Sequence, residues 1–435
     1  MLEGFQNIFK IPELRKRVLF SLGMLAVYRI GCHIPTPGID SQALAHFFKQ
    51  AQGTLLGMFD MFSGGALEKL TVFALGIMPY ISSSIIFQLL TVVVPSIEKL
   101  SKEGEAGRKK IIQFTRYGTI VLAVVQAMGI SIGLESMRGP AGELVVPLPG
   151  WGFRVMTVIT LTAGTAFIMW LGEQMSEKGI GNGISLIIFA GIVCRIPTAI
   201  GNSFKLLSAG QLSLFVLLFV LVLMFAVIVA IVFVERGQRR VPIHYAKRVV
   251  GLQTYGAQTS HLPLKINMAG VIPPIFASSI IMFPATVGNF INVPWVQAAA
   301  KSMSPGNWIY NIFYVAFIVF FCYFYTAVTF NPIDVAENIR KHGGYIPGRR
   351  PGKETSEFLD TVLTKLTFAG AIYISIVCVL PSILIGKFNL PFYFGGTALL
   401  IAVGVGMDTV AQIESHLITR SYEGFMKGVR IKGRK

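Results

Sequence analysis

Ten apolar segments alternate with polar stretches along this chain of 435 residues, and the alternation sorts its basic side chains. Of 38 Lys and Arg, 29 fall in every second polar stretch: four in 1–17, six in 95–116, one in 173–183, and six each in 235–268, 331–365 and 412–435. The other nine, Arg29, Lys49, Lys69, Arg138, Arg154, Arg195, Lys205, Lys301 and Lys387, are scattered over the opposite loops and the ends of the apolar segments. Basic residues are held on the cytoplasmic side of a membrane. The asymmetry therefore predicts a multi-pass protein of the cytoplasmic (inner) membrane, with both termini and the large basic loops in the cytoplasm.

About twenty residues of helix cross a bilayer, and the predicted spans lie at roughly 18–34, 71–94, 114–135, 155–172, 184–200, 212–234, 269–290, 310–330, 366–386 and 391–411. Only 14% of the residues are charged and 53% are hydrophobic, whereas a soluble domain is about a quarter charged. The expected class is an all-α integral membrane protein, not a soluble domain with an anchor. The basic patch in 1–17 precedes an apolar run that ends in RIGCHIPTPG with no small-x-small cleavage site. It reads as a cytoplasmic amphipathic helix leading into the first span. Cys32, Cys194, Cys322 and Cys378 lie in or at the ends of apolar segments without CxxC spacing, as small buried hydrophobes do.

Ten spans divide into two sets of five, 18–200 and 201–411, followed by a basic tail, 412–435. An odd number per set requires two halves of one fold to be inverted, an arrangement common in membrane passageways, where interrupted helices at matching positions mark the path. The second span of each half fits. ALGIMPYISSSIIFQLL carries Pro79 and Ser82–Ser84; MAGVIPPIFASSIIMFPA carries Pro273, Pro274 and Ser278–Ser279. Proline inside a span frees a carbonyl and loosens the helix, so two such helices could face each other across a seam that parts; prolines are also simply frequent in membrane helices. Between the first two spans, GMFDMFSGGALEKL (57–70) is too short to cross, with Phe59, Phe62, Leu67 and Leu70 at roughly helical spacing around Gly64–Gly65. Two readings stand open: a stopper folded back into the protein, or an interfacial helix lying flat on the outer surface.

The span interiors are nearly free of charge. Arg29 sits near the outer end of the first span; Glu173, Glu235 and Asp408 sit near cytoplasmic ends. Ion-coupled transporters and pumps carry ionisable groups inside their spans, so a secondary transporter for a small solute is the weaker reading. The chain has no GxxxxGK[ST], HExxH or nucleophile–base arrangement, which argues against an enzyme and against any cofactor or metal. Energy for movement would come from a partner or the membrane potential. The loops 235–268 and 331–365 set cationic clusters on Gly/Pro-rich turns. They could hold topology and touch anionic lipid, or dock an acidic partner or RNA phosphate.

RIGCHIPTPGID, MFSGGAL, FALGIMPYISSSIIFQLL, KEGEAGRKKI, WLGEQMSEKGIGNGISLIIFAGIV, FVERGQRRVPIHYAKR, SHLPLKINMAGVIPPIFASSI, FYTAVTFNP, YIPGRRPG and PFYFGGTALLIAVGVGMD follow one another in this order. The chain resembles the SecY family of protein-conducting channels over essentially its whole length. The resemblance implies two five-helix halves around an hourglass pore, and a channel that passes unfolded precursor polypeptides and releases membrane segments sideways into lipid. It implies a pore ring of Ile77, Ile81, Ile188, Ile275 and Ile401. It makes 57–70 a plug, with Phe59, Met61, Phe62, Ser63, Gly64, Gly65 and Leu67. Pro79, Ser82, Gln88, Gln126, Asn267, Pro273, Ser278 and Ser279 become lateral-gate residues. Arg239, Arg240, Lys247, Arg248, Arg349 and Arg350 become docking residues for the SecA motor ATPase and for a ribosome with its nascent chain. After YAKR, however, Leu252 and Gln253 stand where many relatives add arginines. The implied partners include SecE, SecG, membrane lipids and accessory Sec and insertase proteins. An apolar ring suits that task, because it dewets when closed and offers a passing backbone nothing to bind.

Overall fold

The computed structural model describes residues 11–40, 44, 60, 63–136, 144–210, 213–245, 248–250, 253–255, 259–290, 307–388 and 396–428. Thirteen helices are found there: α1 (Pro12–Gly31), α2 (Met78–Val93), α3 (Pro95–Lys102), α4 (Glu105–Ser136), α5 (Trp151–Lys178), α6 (Gly183–Val193), α7 (Ile196–Ser208), α8 (Leu214–Arg236), α9 (Ile272–Phe290), α10 (Trp308–Thr329), α11 (Pro332–Lys341), α12 (Lys353–Phe388) and α13 (Gly396–Gly428). A helix stands at each of the ten apolar segments, the fifth being split into α6 and α7. Among the described residues, seven helical stretches are long and apolar enough to cross a membrane, α6 and α7 together making one of them. The second span is not, because α2 has 16 residues and turns by 98° into α3 at Val94–Pro95. The apolar stretch of α9, Ile272–Ile281, is also shorter than a span.

The packing repeats in span order. In the first group, α2 lies on α4, α4 on α5, α5 on α6, and α1 on α6. In the second, α9 lies on α10, α10 on α12, α12 on α13, and α8 on α13. Second on third, third on fourth, fourth on fifth and first on fifth is the pattern both times. The groups meet along two lines, α2 and α4 against α9, and α6 against α13. Among the described residues no backbone–backbone hydrogen bond joins one group to the other.

The prolines sit elsewhere in their helices than the span pattern predicts. Residues 71–77 are turns, and Pro79 lies in the first turn of α2; Pro273 and Pro274 are the second and third residues of α9. Proline is tolerated in a first turn because its missing N–H has no intrahelical partner there. These prolines therefore start helices instead of loosening them. In both cases a glycine with positive φ, Gly76 at 56° and Gly270 at 63°, stands two residues before the helix, a backbone state that L side chains rarely adopt. α2 and α9 share one start: Gly, Ile or Val, then a first turn with proline.

The basic loops are not the plain loops that an all-α reading expects. β1 (Gln238–Tyr245) pairs antiparallel with β4 (Thr259–Lys265) and with β5 (Gly344–Tyr345), in the order β4-β1-β5. At the tip, β2 (Arg248–Val250) pairs with β3 (Gln253–Tyr255). Val241 and Leu264 bury against Ala336 of α11, Ile346, and Leu359, Val362 and Leu363 of α12. The alternation in RRVPIHY, with Val241 and Ile243 inward between exposed neighbours, is the period-two signal of a half-buried strand. α12 continues from this small core into the span, so the sheet packs directly on a spanning helix.

Close helix contacts rely on missing side chains, as between membrane helices generally. Gly164 of α5 lies against the carbonyl of Val72, leaving no room for a Cβ, whereas Gly152 of the same helix faces open space. Gly164→Ala is expected to destabilise by roughly 1–3 kcal/mol, as overpacking does, and Gly152→Ala to be neutral or slightly stabilising. Thermal aggregation midpoints of the detergent-solubilised variants, compared side by side, check this.

Candidate functional site

All five candidate ring isoleucines are buried in one hydrophobic cluster. Ile77 caps α2 and Ile81 lies one turn along it; Ile188 is on α6, Ile275 on α9 and Ile401 on α13. These four helices are among the five through which the two groups meet, α2 and α4 against α9 and α6 against α13. Ala66, Leu67 and Leu70 belong to the same buried cluster.

The segment before α2 is folded inward. Ser63, Ala66, Leu67 and Leu70 are buried, and residues 63–70 are turns, not a helix on the outer surface. Two helix ends hold them. From α1, the Tyr28 hydroxyl donates to the Ser63 carbonyl at 3.2 Å and Arg29 Nη1 to the Gly64 carbonyl at 3.1 Å. Gly64, at φ 70°, packs on Gly191 of α6 where a Cβ would come within 2.9 Å of the backbone. At the α6–α7 corner the Arg195 guanidinium pairs with the Asp60 carboxylate and lies 3.8 Å from Glu68 Oε2. Asp60 also accepts from the Glu68 N–H at 2.8 Å. Thr36 N–H donates to the Leu70 carbonyl and Val72 N–H to that of Ile34. Phe59, Met61 and Phe62 lie outside the described residues. Asp60 and Arg195 were not singled out from sequence; the signal was there, as an acid inside an apolar segment and a stray arginine among the non-cytoplasmic charges.

The candidate gate residues divide by what their side chains do. On α2, the Ser83 hydroxyl donates to the Thr115 carbonyl of α4 at 2.8 Å, while Ser82 is half-buried. On α9, Ser278 and Ser279 turn back to the Ile275 carbonyl at 2.9 and 2.8 Å. Gln88 donates to Ser84 at 3.4 Å, and the side-chain carbonyls of Gln88 and of Gln126 on α4 are buried without a hydrogen-bond partner. Asn267 donates to Glu235 Oε1 at 2.6 Å and to the Gly270 carbonyl at 3.1 Å, and accepts from Gly270 N–H at 3.0 Å. Its side chain ties the end of α8 to the turn that starts α9.

The candidate docking arginines lie on the sheet and the turn beside it. Arg239 and Arg240 are exposed on β1; Arg349 is exposed and stacks over Phe358 at 5.5 Å; Arg350 is exposed in a turn fixed by its own N–H to Glu354 Oε2 and by Thr355 Oγ1 to its carbonyl. Arg248 begins β2, and Lys247 lies outside the described residues. Among the described residues no group of His, Cys, Asp or Glu could hold a metal ion. Cys32, Cys322 and Cys378 are buried and unbridged; Cys194 is half-buried.

The family model described as SecY matches residues 71–410. The chain is 53% identical over 427 residues to the "Protein translocase subunit SecY" of Pseudomonas aeruginosa, covering 97% of this chain and 95% of that one. It is 51% identical over 427 residues to the subunit of the same name in Escherichia coli K12, covering 97% and 96%. Among solved structures it resembles "The structure of a protein conducting channel", with TM-score 0.67, 18% identity and 93% of each chain covered. It also resembles the channel chain of a canine ribosome-channel complex from the endoplasmic reticulum, with TM-score 0.63, 16% identity and 93% of each chain covered.

An unpaired buried carbonyl costs about 1–3 kcal/mol. Gln126→Leu, close in volume, is therefore expected to raise the thermal midpoint of the resting protein, whereas Ser83→Ala, which removes a made hydrogen bond, is expected to lower it.

Proposed function

The chain belongs to the SecY family, and from that membership we propose how it works as a multi-pass, protein-conducting channel subunit. Unfolded precursors thread the ring of Ile77, Ile81, Ile188, Ile275 and Ile401. The line between α2, α4 and α9 is the lateral gate through which apolar segments leave into lipid. Residues 57–70 are the plug. The single observation that carries this reading is the burial of all five isoleucines in one cluster, on four of the five helices through which the two groups meet.

The physics follows from the side chains. A β-branched apolar ring excludes water and ions when closed. Opened around an extended chain, it offers no hydrogen bonds that would hold one sequence better than another. A signal sequence brings an apolar run of about 7–15 residues; at the parted α2–α9 line that run meets hydrocarbon, and partitioning holds it there. Longer runs leave sideways as membrane helices. Among the described residues, parting the α2–α9 line breaks no backbone–backbone hydrogen bond, so its cost there is mainly side-chain packing.

The basic sheet lies in the cytoplasm of the cell and both termini lie on its side of the inner membrane. Arg239, Arg240, Lys247, Arg248, Arg349 and Arg350 receive the SecA motor or the ribosome. Arg349 and Arg350 are the stronger contact, because their turn is packed onto the α11–α12 core, whereas Leu252 and Gln253 carry no charge at the hairpin tip. SecE and SecG brace the two inverted halves.

A photocrosslinking residue at position 275, in membranes supplied with SecA and ATP and holding a half-translocated precursor, is expected to crosslink to the precursor more strongly than a residue at the exposed position 222 of α8. Equal labelling at both sites, with the precursor still crossing, would remove the ring from the path. Arg350→Glu is expected to reduce SecA-driven transit at least tenfold while leaving the thermal midpoint of the channel unchanged; unchanged transit would take Arg350 out of the docking surface.

A further inference from the structure

An apolar stopper beneath an apolar ring needs no charge, yet this one is fastened by charge. We propose that Asp60, Glu68 and Arg195 form an ionic latch that holds the turns of residues 63–70 in place and sets how hydrophobic an arriving segment must be to open the channel. The proposal rests on the protein-channel reading given above.

Asp60 is the centre of the contact. Its side chain is 4% exposed, against 30% for Arg195 and 32% for Glu68. Both carboxylate oxygens are used: Oδ1 accepts the Glu68 N–H and so closes the turn on itself, while Oδ2 takes the Arg195 guanidinium from the α6–α7 corner. The Asp60 carbonyl accepts from Gly65 N–H and from Ser63 Oγ, each at 3.0 Å. One carboxylate therefore organises the turn and anchors it to a different element. A carboxylate this enclosed is strongly disfavoured once it loses its partner. Glu68 adds a second, longer arm to the same guanidinium. Arg29, on α1, grips a backbone carbonyl, that of Gly64, a contact that does not depend on the side chains of the segment.

The consequence for specificity is a matter of populations. A ligand moves an equilibrium only by its difference in affinity for the two states. An apolar run at the α2–α9 line stabilises the parted state by the hydrocarbon contact it gains. The latch stabilises the closed state and so raises the contact required. Without the latch, a shorter or less apolar run suffices.

The test uses the complete channel complex in vesicles, with the motor and ATP, and two precursors that differ only in the length of the apolar run. Arg195→Gln is expected to raise transit of the shortened precursor at least tenfold relative to the intact one, and to raise resting ion conductance. Arg195→Lys is expected to stay close to native. The charge swap, Asp60→Arg with Arg195→Asp, is expected to restore most of the native discrimination. Glu68→Gln, which keeps the enclosed pair intact and so is the gentlest change to folding, should shift discrimination the same way by a smaller factor. If Arg195→Gln and Glu68→Gln both discriminate as the native chain does while the intact precursor still crosses, the latch is overturned and the channel reading stands. A swap no better than Arg195→Gln would also overturn it, since the contact would then be one of shape and not of charge. If the native chain passes neither precursor, the channel reading fails and the latch with it.

Discussion

In hydrocarbon a backbone polar group has no partner except another group of the protein, and everything in this chain that could move has to respect that. A conduit that opens sideways must separate protein from protein without leaving N–H or C=O groups bare. The arrangement that satisfies the constraint is one in which each helix keeps its own ladder and only side chains cross the line of parting. The two groups of helices meet in that way: α2 and α4 lie against α9, α6 lies against α13, and among the described residues the backbone hydrogen bonds stay within each group. Where a main-chain group does reach across, from Gly181 N–H, it goes to the side chain of Gln412, outside the α2–α9 line.

The same constraint explains how α2 and α9 begin. A helix that starts inside the molecule leaves its first N–H groups without intrahelical partners. Proline in the first turn removes one such donor, and a positive-φ glycine two residues earlier turns the chain sharply into the helix. Both starts carry this device, at Gly76–Pro79 and at Gly270–Pro273. Ile77 stands at one corner, and Ile275 lies one turn into the other helix. The turn that aims the helix thus also sets the level of the candidate constriction. Polar groups left unpaired at Gln88 and Gln126 make the adjoining contact less stable than an all-apolar one.

Much of this was legible in the residues. Charge sorting and segment length located a helix at each apolar stretch, because the bilayer allows few alternatives. The matched Pro-and-Ser pattern picked out α2 and α9 as a pair. Its mechanical meaning was misread, since a proline one turn from a helix start and a proline in mid-helix look alike until the start is known. The sheet β4-β1-β5 was not legible for a different reason: β1 opens on Arg239 and Arg240, whose charge masks the alternation at Val241 and Ile243, and β5 is two residues long and about a hundred residues away in sequence. Asp60 and Arg195 are 135 residues apart, and nothing local to either announces the other. The placement of the 57–70 segment could not be decided from periodicity, because the inward fold of residues 63–70 depends on partners at Tyr28, Arg29 and Gly191 that only tertiary structure brings near.

The central claim is that the α2–α9 line opens during transport, and a reversible tether across it tests that most directly. With Cys32, Cys194, Cys322 and Cys378 replaced, Ser82→Cys and Ser279→Cys would be joined by a short cleavable bifunctional maleimide, and precursor transit measured before joining, after joining and after cleavage. The account predicts transit that stops when the tether forms and returns when it is cut, with a tether between α12 and α13, inside one group, having no effect. Undiminished transit through channels that are quantitatively joined across α2 and α9 would contradict it.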